Sequence, residues 1–233
     1  MFTDLRQYQA LQEVNDGYWI DEQGVLHGPK ANWAPIPENA TQPSIIPRMN
    51  ILHTNAGTRP ATWQELRTYQ AGTNDGGVEC HFDVDNNGDI GQFVSVFVKA
   101  DCNFNANRWL YNGQYYGAIS IETGDLGVAT LEQTPWNIDQ LHSMICILTC
   151  SATQLNTGCG EVLQWDGAGI DYHTKFPYYG EGIKAWTDKR GKTCPGTPRK
   201  RQVPWIRQAV ADKVVAYINR CNELGVAHGI PGL

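Results

Sequence analysis

The stretch from Arg48 to Gly57, RMNILHTNAG, constrains this chain more than any other. Ile51 and Leu52 are apolar residues suited to a buried strand, and the chain then delivers His53 and Thr54 into a polar turn that contains glycine. A histidine at the mouth of a core strand is rigidly aimed. Taken alone, it reads most simply as a satisfied structural side chain. A second stretch far downstream, Gly191-Lys192-Thr193-Cys194-Pro195-Gly196, shifts the balance, because a thiolate and imidazoles are the donors that zinc prefers.

At 233 residues the chain suits one large domain, or one domain with an added segment, and can bury a real core. The formal charge of −6 argues against nucleic acid as a partner, since phosphate binding favours a basic surface. The charge is unevenly spread. Between Lys184 and Arg207, eight basic residues (Lys184, Lys189, Arg190, Lys192, Arg199, Lys200, Arg201, Arg207) accompany one acid, Asp188. A solvated face is the simpler account of them, and a positive rim for an anionic ligand the sharper one. The first 46 residues run the other way, with six acids against Arg6 and Lys30. Seven cysteines show no C-x-x-C spacing, the N-terminus has no apolar core, and no window approaches 18 apolar residues. The expectation is a chain without signal peptide or membrane span, folded in a reducing cytosol, with Cys146 and Cys150 as buried thiols.

Along the chain, Leu5, Tyr8, Leu11 and Val14 mark a helical start, and GPKANWAPIPENATQP follows as an extended wrap or linker. A strand is expected at about 48 to 54, then a short helix carrying Trp63, Leu66 and Tyr69. The segment from Val78 to Lys99 has the chemistry of a hairpin turning at Asn86-Asn87-Gly88-Asp89, with strand character resuming from Ile90 to Val98. Its DVDNNGD string lacks the Glu at the twelfth position that an EF-hand requires. GAISIE (117 to 122) is a strand ending on a carboxylate. Thr134-Pro135 suggests the cap and first position of a helix with Ile138, Leu141, Ile145, Leu148 and Ala152 as its buried stripe, and His142 beside that stripe as a structural residue. A further strand ends at Tyr172-His173, and Pro204 starts a final helix with Ile206, Val210, Val214 and Ile218 inside. Strands interleaved with helices, and polar residues at strand ends, give an α/β or α+β sheet with one site along its edge. The site candidates are His53, Glu122, His173 and Cys194.

In this order the pieces resemble a known family. From about Pro47 to Ala216 the chain is similar to the zinc-dependent N-acetylmuramoyl-L-alanine amidases of type 2, which include phage lysins, bacterial cell-wall amidases and peptidoglycan-recognition proteins. The matching motifs are ILHTN, the hairpin CHFDVDNNGDIGQFV, AISIE, the long helix, a second His, and KTCPG. The resemblance implies an α/β fold with a central mixed sheet flanked by helices, residues 47–233 as the amidase domain and 1–46 as an N-terminal extension. It implies His53, His173 and Cys194 as ligands of Zn2+, with the fourth position left for water. Glu122 then matches the carboxylate that accepts a proton from that water, and Lys192 the basic residue that stabilises the oxyanion. Some members place a Tyr where this chain has Cys80, which favours Glu122 as the proton acceptor. Asn55, Tyr178 and Trp186 become substrate contacts, and His81 a residue supporting the site without binding metal.

This chain departs from the family pattern in three places. His173 and Cys194 are 21 residues apart, which makes 176–190 an inserted loop; a Trp-His pair before GAISIE is missing; and the first 46 residues have no counterpart. The implied activity is hydrolysis of the amide between N-acetylmuramic acid and L-alanine in peptidoglycan, by a monomeric phage endolysin made in the host cytoplasm. The alternative is a non-catalytic peptidoglycan-binding module of the same fold.

Overall fold

The computed structural model describes residues 4–55, 62–72, 79–103, 107–124, 134–157, 169–172 and 194–231. In chain order its elements are α1 (Leu5–Val14), β1 (Trp19–Ile20), β2 (Leu26–His27), β3 (Ala31–Trp33), a 3-10 turn (Pro37–Ala40), β4 (Ile46–Leu52), α2 (Trp63–Gly72), β5 (Phe82–Val84), β6 (Ile90–Gln92), β7 (Trp109–Tyr111), β8 (Gln114–Thr123), α3 (Ile138–Gln154), β9 (Ile170–Tyr172), α4 (Thr197–Lys200) and α5 (Val203–Glu223). Seven of these strands form one mixed sheet in the order β3-β6-β5-β8-β4-β9, with β7 antiparallel to the first half of β8. β4 and β5 both run parallel to β8, and β9 runs parallel to β4, so four strands finish on the same edge.

Alternation along the strands divides the side chains between two faces. Leu52, Phe82, Val84, Ile119 and Ile121 point to one face, where they pack with α3, α5 and α1 in the main core. Their neighbours His53, Asp83, Ser120 and Glu122 therefore point to the other, the side on which Leu66 of α2 packs with Ile36, Cys80, Phe93, Val94 and Cys102.

Capping chemistry sets the helix starts. Asp4 accepts from the backbone of Arg6 at 2.8 Å while Gln7 reaches back to the Asp4 N–H at 3.1 Å, a capping box that opens α1. α3 opens on Asn137, not Thr134: Asn137 is extended and accepts from Gln140 N at 2.9 Å, and Gln140 returns to the Asn137 N–H. The expected stripe of α3 is too narrow. Ile138 is 71% exposed, whereas Met144, Cys146, Ile147 and Cys150 are buried along with Leu141, Ile145 and Leu148. The cause lies in the N-terminal residues, which cover the outer side of the helix. Asn15 Nδ2 donates to Cys146 O at 3.0 Å, and Gln154 brackets the backbone of Ile20 with bonds of 2.7 and 2.8 Å.

Two other segments differ from expectation. The supposed linker contributes β3, paired in parallel with β6, and Ala34 N and Ile36 N continue the ladder onto Gln92 O and Phe93 O. The apolar run after Gln92 leaves the sheet. Phe93 and Val94 turn into the cluster beneath α2, and only Val98 bridges again, to Ser44. Among the described residues no helix is long and apolar enough to cross a membrane.

Candidate metal and catalytic site

Register brings the first two site residues together. Leu52 pairs with Ile121 across β4 and β8, and His53 N donates to Ile121 O at 2.8 Å, so His53 and Glu122 stand side by side at the strand ends. His53 Nδ1 lies 3.7 Å from Glu122 Oε1. Asp83 faces Glu122 in the next strand pair and accepts from Asn55 Nδ2 at 2.9 Å. The Glu122 carboxylate thus adjoins a histidine that is only 2% exposed, with Asp83 one strand further along the sheet.

Cys194 enters from the loop before α4, its Sγ 3.9 Å from His53 Nδ1. Arg199 explains how that loop is held. Instead of lining a solvated face, its guanidinium is buried and donates to Thr54 Oγ1 (2.5 Å), Thr123 Oγ1 (3.0 Å), Gly124 O (3.3 Å) and Thr134 O (3.0 Å). It ties α4 to the ends of both central strands. Thr123 completes the frame, donating to His53 O at 2.7 Å and accepting from Trp136 Nε1 at 2.8 Å.

The other ring nitrogen of His53 meets Asn103 Oδ1 at 2.6 Å. An amide oxygen only accepts, so Nε2 carries the proton and the lone pair of Nδ1 is turned towards Cys194 and Glu122. Burial, with the charge of Glu122, pushes the Cys194 thiol well above its ordinary value, so a thiolate there requires a cation beside it. A lone-pair nitrogen and a sulfur 3.9 Å apart fit two corners of a zinc site, for which bond lengths give an edge of about 3.6 Å. His53 and Cys194 are therefore the described residues that would hold such an ion. His173, the expected further ligand, follows Tyr172 at the end of β9 and lies outside the described residues, as do Lys192, Tyr178 and Trp186.

His81 is differently committed. Its Nδ1 accepts from Ser120 N at 3.0 Å and its Nε2 meets Val98 O at 2.9 Å, which leaves neither nitrogen for a metal. Burial lowers its pKa to about 4, so the ring is neutral. Cys80 is buried against Gln70. Asn103 and Arg199 are the positioning residues that sequence reasoning missed, since neither falls in an apolar pattern or a recognisable spacing.

A central mixed sheet flanked by helices thus gathers a His, a carboxylate and a Cys at the ends of its parallel strands. Among solved structures, the catalytic domain of PlyG matches with a TM-score of 0.50 and 15% identity, over 79% of this chain and 94% of that one. An AmpD derivative matches at 0.49 and 16%, over 82% and 98%. The endolysin N-acetylmuramoyl-L-alanine amidase LysCS from Clostridium intestinale URNW matches at 0.47 and 15%, over 86% and 98%. At these identities the likeness is one of fold. No protein-family model matches the chain, and no curated protein matches it in sequence.

Proposed function

We propose that the chain is a zinc-dependent N-acetylmuramoyl-L-alanine amidase that cuts peptidoglycan between N-acetylmuramic acid and L-alanine. The observation that carries this reading is the convergence of His53, Glu122 and Cys194, drawn from positions up to 141 residues apart, onto one buried strand edge. Bound zinc would lower the pKa of a water to about 7 and polarise the scissile carbonyl. In this reading Glu122 takes the proton of the attacking water and passes it to the leaving amine of L-alanine, a role its position beside His53 supports. Asn103 keeps the His53 lone pair directed at the site, and Arg199 keeps Cys194 there. In this reading His173 completes the ligand set, Lys192 stabilises the oxyanion, and Asn55, Tyr178 and Trp186 meet the muramyl peptide.

The sequence resemblance supports a phage endolysin acting in host lysis, made in the host cytoplasm and reaching the wall after release. It also supports residues 47–233 as the segment that carries the catalytic residues, folded together with residues 1–46. The test is digestion of purified peptidoglycan with and without a strong chelator, scoring new L-alanine amino groups against new reducing sugar ends. Amino groups that form only without chelator are the expected result. Failure of zinc-loaded protein to cut would overturn the reading in favour of a binding module, and reducing ends would indicate a glycosidase.

A further inference from the structure

A second set of metal-type donors lies behind α3, across the sheet from His53. Asp16 Oδ2 and His142 Nε2 are 3.2 Å apart, Asp16 Oδ2 and Cys146 Sγ 3.8 Å, and His142 Nε2 and Cys146 Sγ 3.9 Å. Among the described residues, these are the three side chains of metal-binding type whose ligand atoms all fall within 4.8 Å of one another. We propose that Asp16, His142 and Cys146 form a second site for a borderline-soft divalent cation of the zinc type, which clamps the N-terminal segment onto α3.

Geometry supports the assignment. Oxygen, nitrogen and sulfur bonded to zinc at their usual lengths are about 3.3 to 3.6 Å apart, so the three atoms need move only by tenths of an ångström. His142 and Cys146 are one helical turn apart and share a face of α3. Asp16 comes from the turn after α1 with a φ of 54°, a left-handed conformation that Asp tolerates better than most residues. That turn is fixed from both sides. Asn15 Nδ2 donates to Cys146 O (3.0 Å) and meets Cys150 Sγ (3.1 Å), so the carboxylate is held over the helix before any ion arrives.

One group must move for a cation to enter. Lys213 Nζ already sits on Asp16 Oδ2 at 2.8 Å and also donates to Val14 O at 2.9 Å. An incoming ion takes the carboxylate while Lys213 keeps the carbonyl. His142 and Asp16 are half exposed, which gives the ion a path from solvent, and Cys146 closes the inner side. One thiolate with one imidazole and one carboxylate selects zinc or its neighbours over magnesium and calcium, which prefer all-oxygen sites.

The proposal is independent of the amidase reading and is tested apart from it. The full chain carrying Cys194→Ser, stripped of metal, is titrated with Co2+, and thiolate-to-cobalt charge transfer is followed in the near ultraviolet. The expected result is one saturable charge-transfer band, lost when Cys146→Ser is added and weakened at least tenfold in apparent affinity by His142→Ala. His142 is a surface residue whose replacement leaves the core intact, so loss of signal there cannot be assigned to unfolding. Zinc should also raise the thermal midpoint of the Cys194→Ser chain but not of its His142→Ala derivative. A Cys194→Ser chain with no charge-transfer band, or with a band that survives both further substitutions, overturns the proposal.

Discussion

Asn103 fixes which nitrogen of His53 faces Cys194 and Glu122, and a single amide therefore sets the donor quality of the proposed site. Replacing it with Ala frees the ring to take the other tautomer. Asn103→Ala should weaken zinc affinity by about 10- to 100-fold, measured by competition with a chelating dye. Glu122 presents the complementary case, since its expected role concerns the proton and not the metal. Glu122→Gln keeps the shape and removes the base, so turnover of peptidoglycan should fall by about 10²- to 10⁴-fold with zinc content unchanged. Equal activity would remove Glu122 from the mechanism. His81 governs stability instead. Its pKa drops from 6.5 in the unfolded chain to about 4 in the fold. Below pH 6.5 the unfolded state binds the extra proton, so the stability present at neutral pH is lost as pH falls from 6.5 towards 4. The full loss is about 3 kcal/mol. Urea unfolding at pH 7 and pH 4.5 should show this loss in the wild-type chain and a correspondingly flatter response in His81→Gln.

At the level of elements, local rules and tertiary contacts divide the work unevenly. α3 begins where a side chain can satisfy the free backbone N–H groups, and Asn137 does so with Gln140 as its reciprocal partner. Asn137→Ala should cost about 1 kcal/mol and lower the thermal midpoint by a few degrees, with peptidoglycan turnover unchanged at 25 °C. The elements legible in the sequence were those whose periodicity matches their burial. The apolar run of β4, the β5–β6 hairpin around Gly88, GAISIE in β8 and Ile206 and Val210 of α5 belong here, whereas in α1 only Leu11 of the expected stripe is fully buried and Leu5 is exposed. Elsewhere the pattern was ambiguous. Phe93 to Val98 is as apolar as a strand but is shared between two cores: Phe93, Val94 and Val98 join the cluster under α2, and Val96 and Phe97 the main core. Ala31-Asn32-Trp33 carries no strand pattern, yet it pairs because β6 leaves an edge whose N–H and C=O groups need partners. The site divides in the same way. His53 and Glu122 were visible because each ends an apolar strand, and structure then shows them adjacent. Asn103 and Arg199 were not, because their value lies in partners that only the folded chain brings near.

For the molecule as a whole, the N-terminal residues decide how much of the chain is needed for one stable fold. Ala10, Leu11, Tyr18, Ile20 and Leu26 are buried in the same cluster as Ile119 and Ile121 of β8 and Met144 and Leu148 of α3. Gln7 Nε2 donates to Ala227 O, and Arg220 pairs with Glu13, so the segment also grips the far end of α5. β3 covers the outer edge of β6, which would otherwise present unpaired backbone. Removing residues 1–40 exposes these five side chains' partners and frees that edge. At about 1.5 to 3 kcal/mol for each of the four large side chains, the loss is roughly 6 to 12 kcal/mol, comparable to the whole stability of a typical domain. The truncated chain 41–233 should therefore lose its near-ultraviolet circular dichroism and sediment as aggregates at 25 °C, while the full chain stays folded. A truncated chain that is soluble, cooperatively folded and as active as the full chain would show that the N-terminal residues are an appendage and that the catalytic unit stands without them.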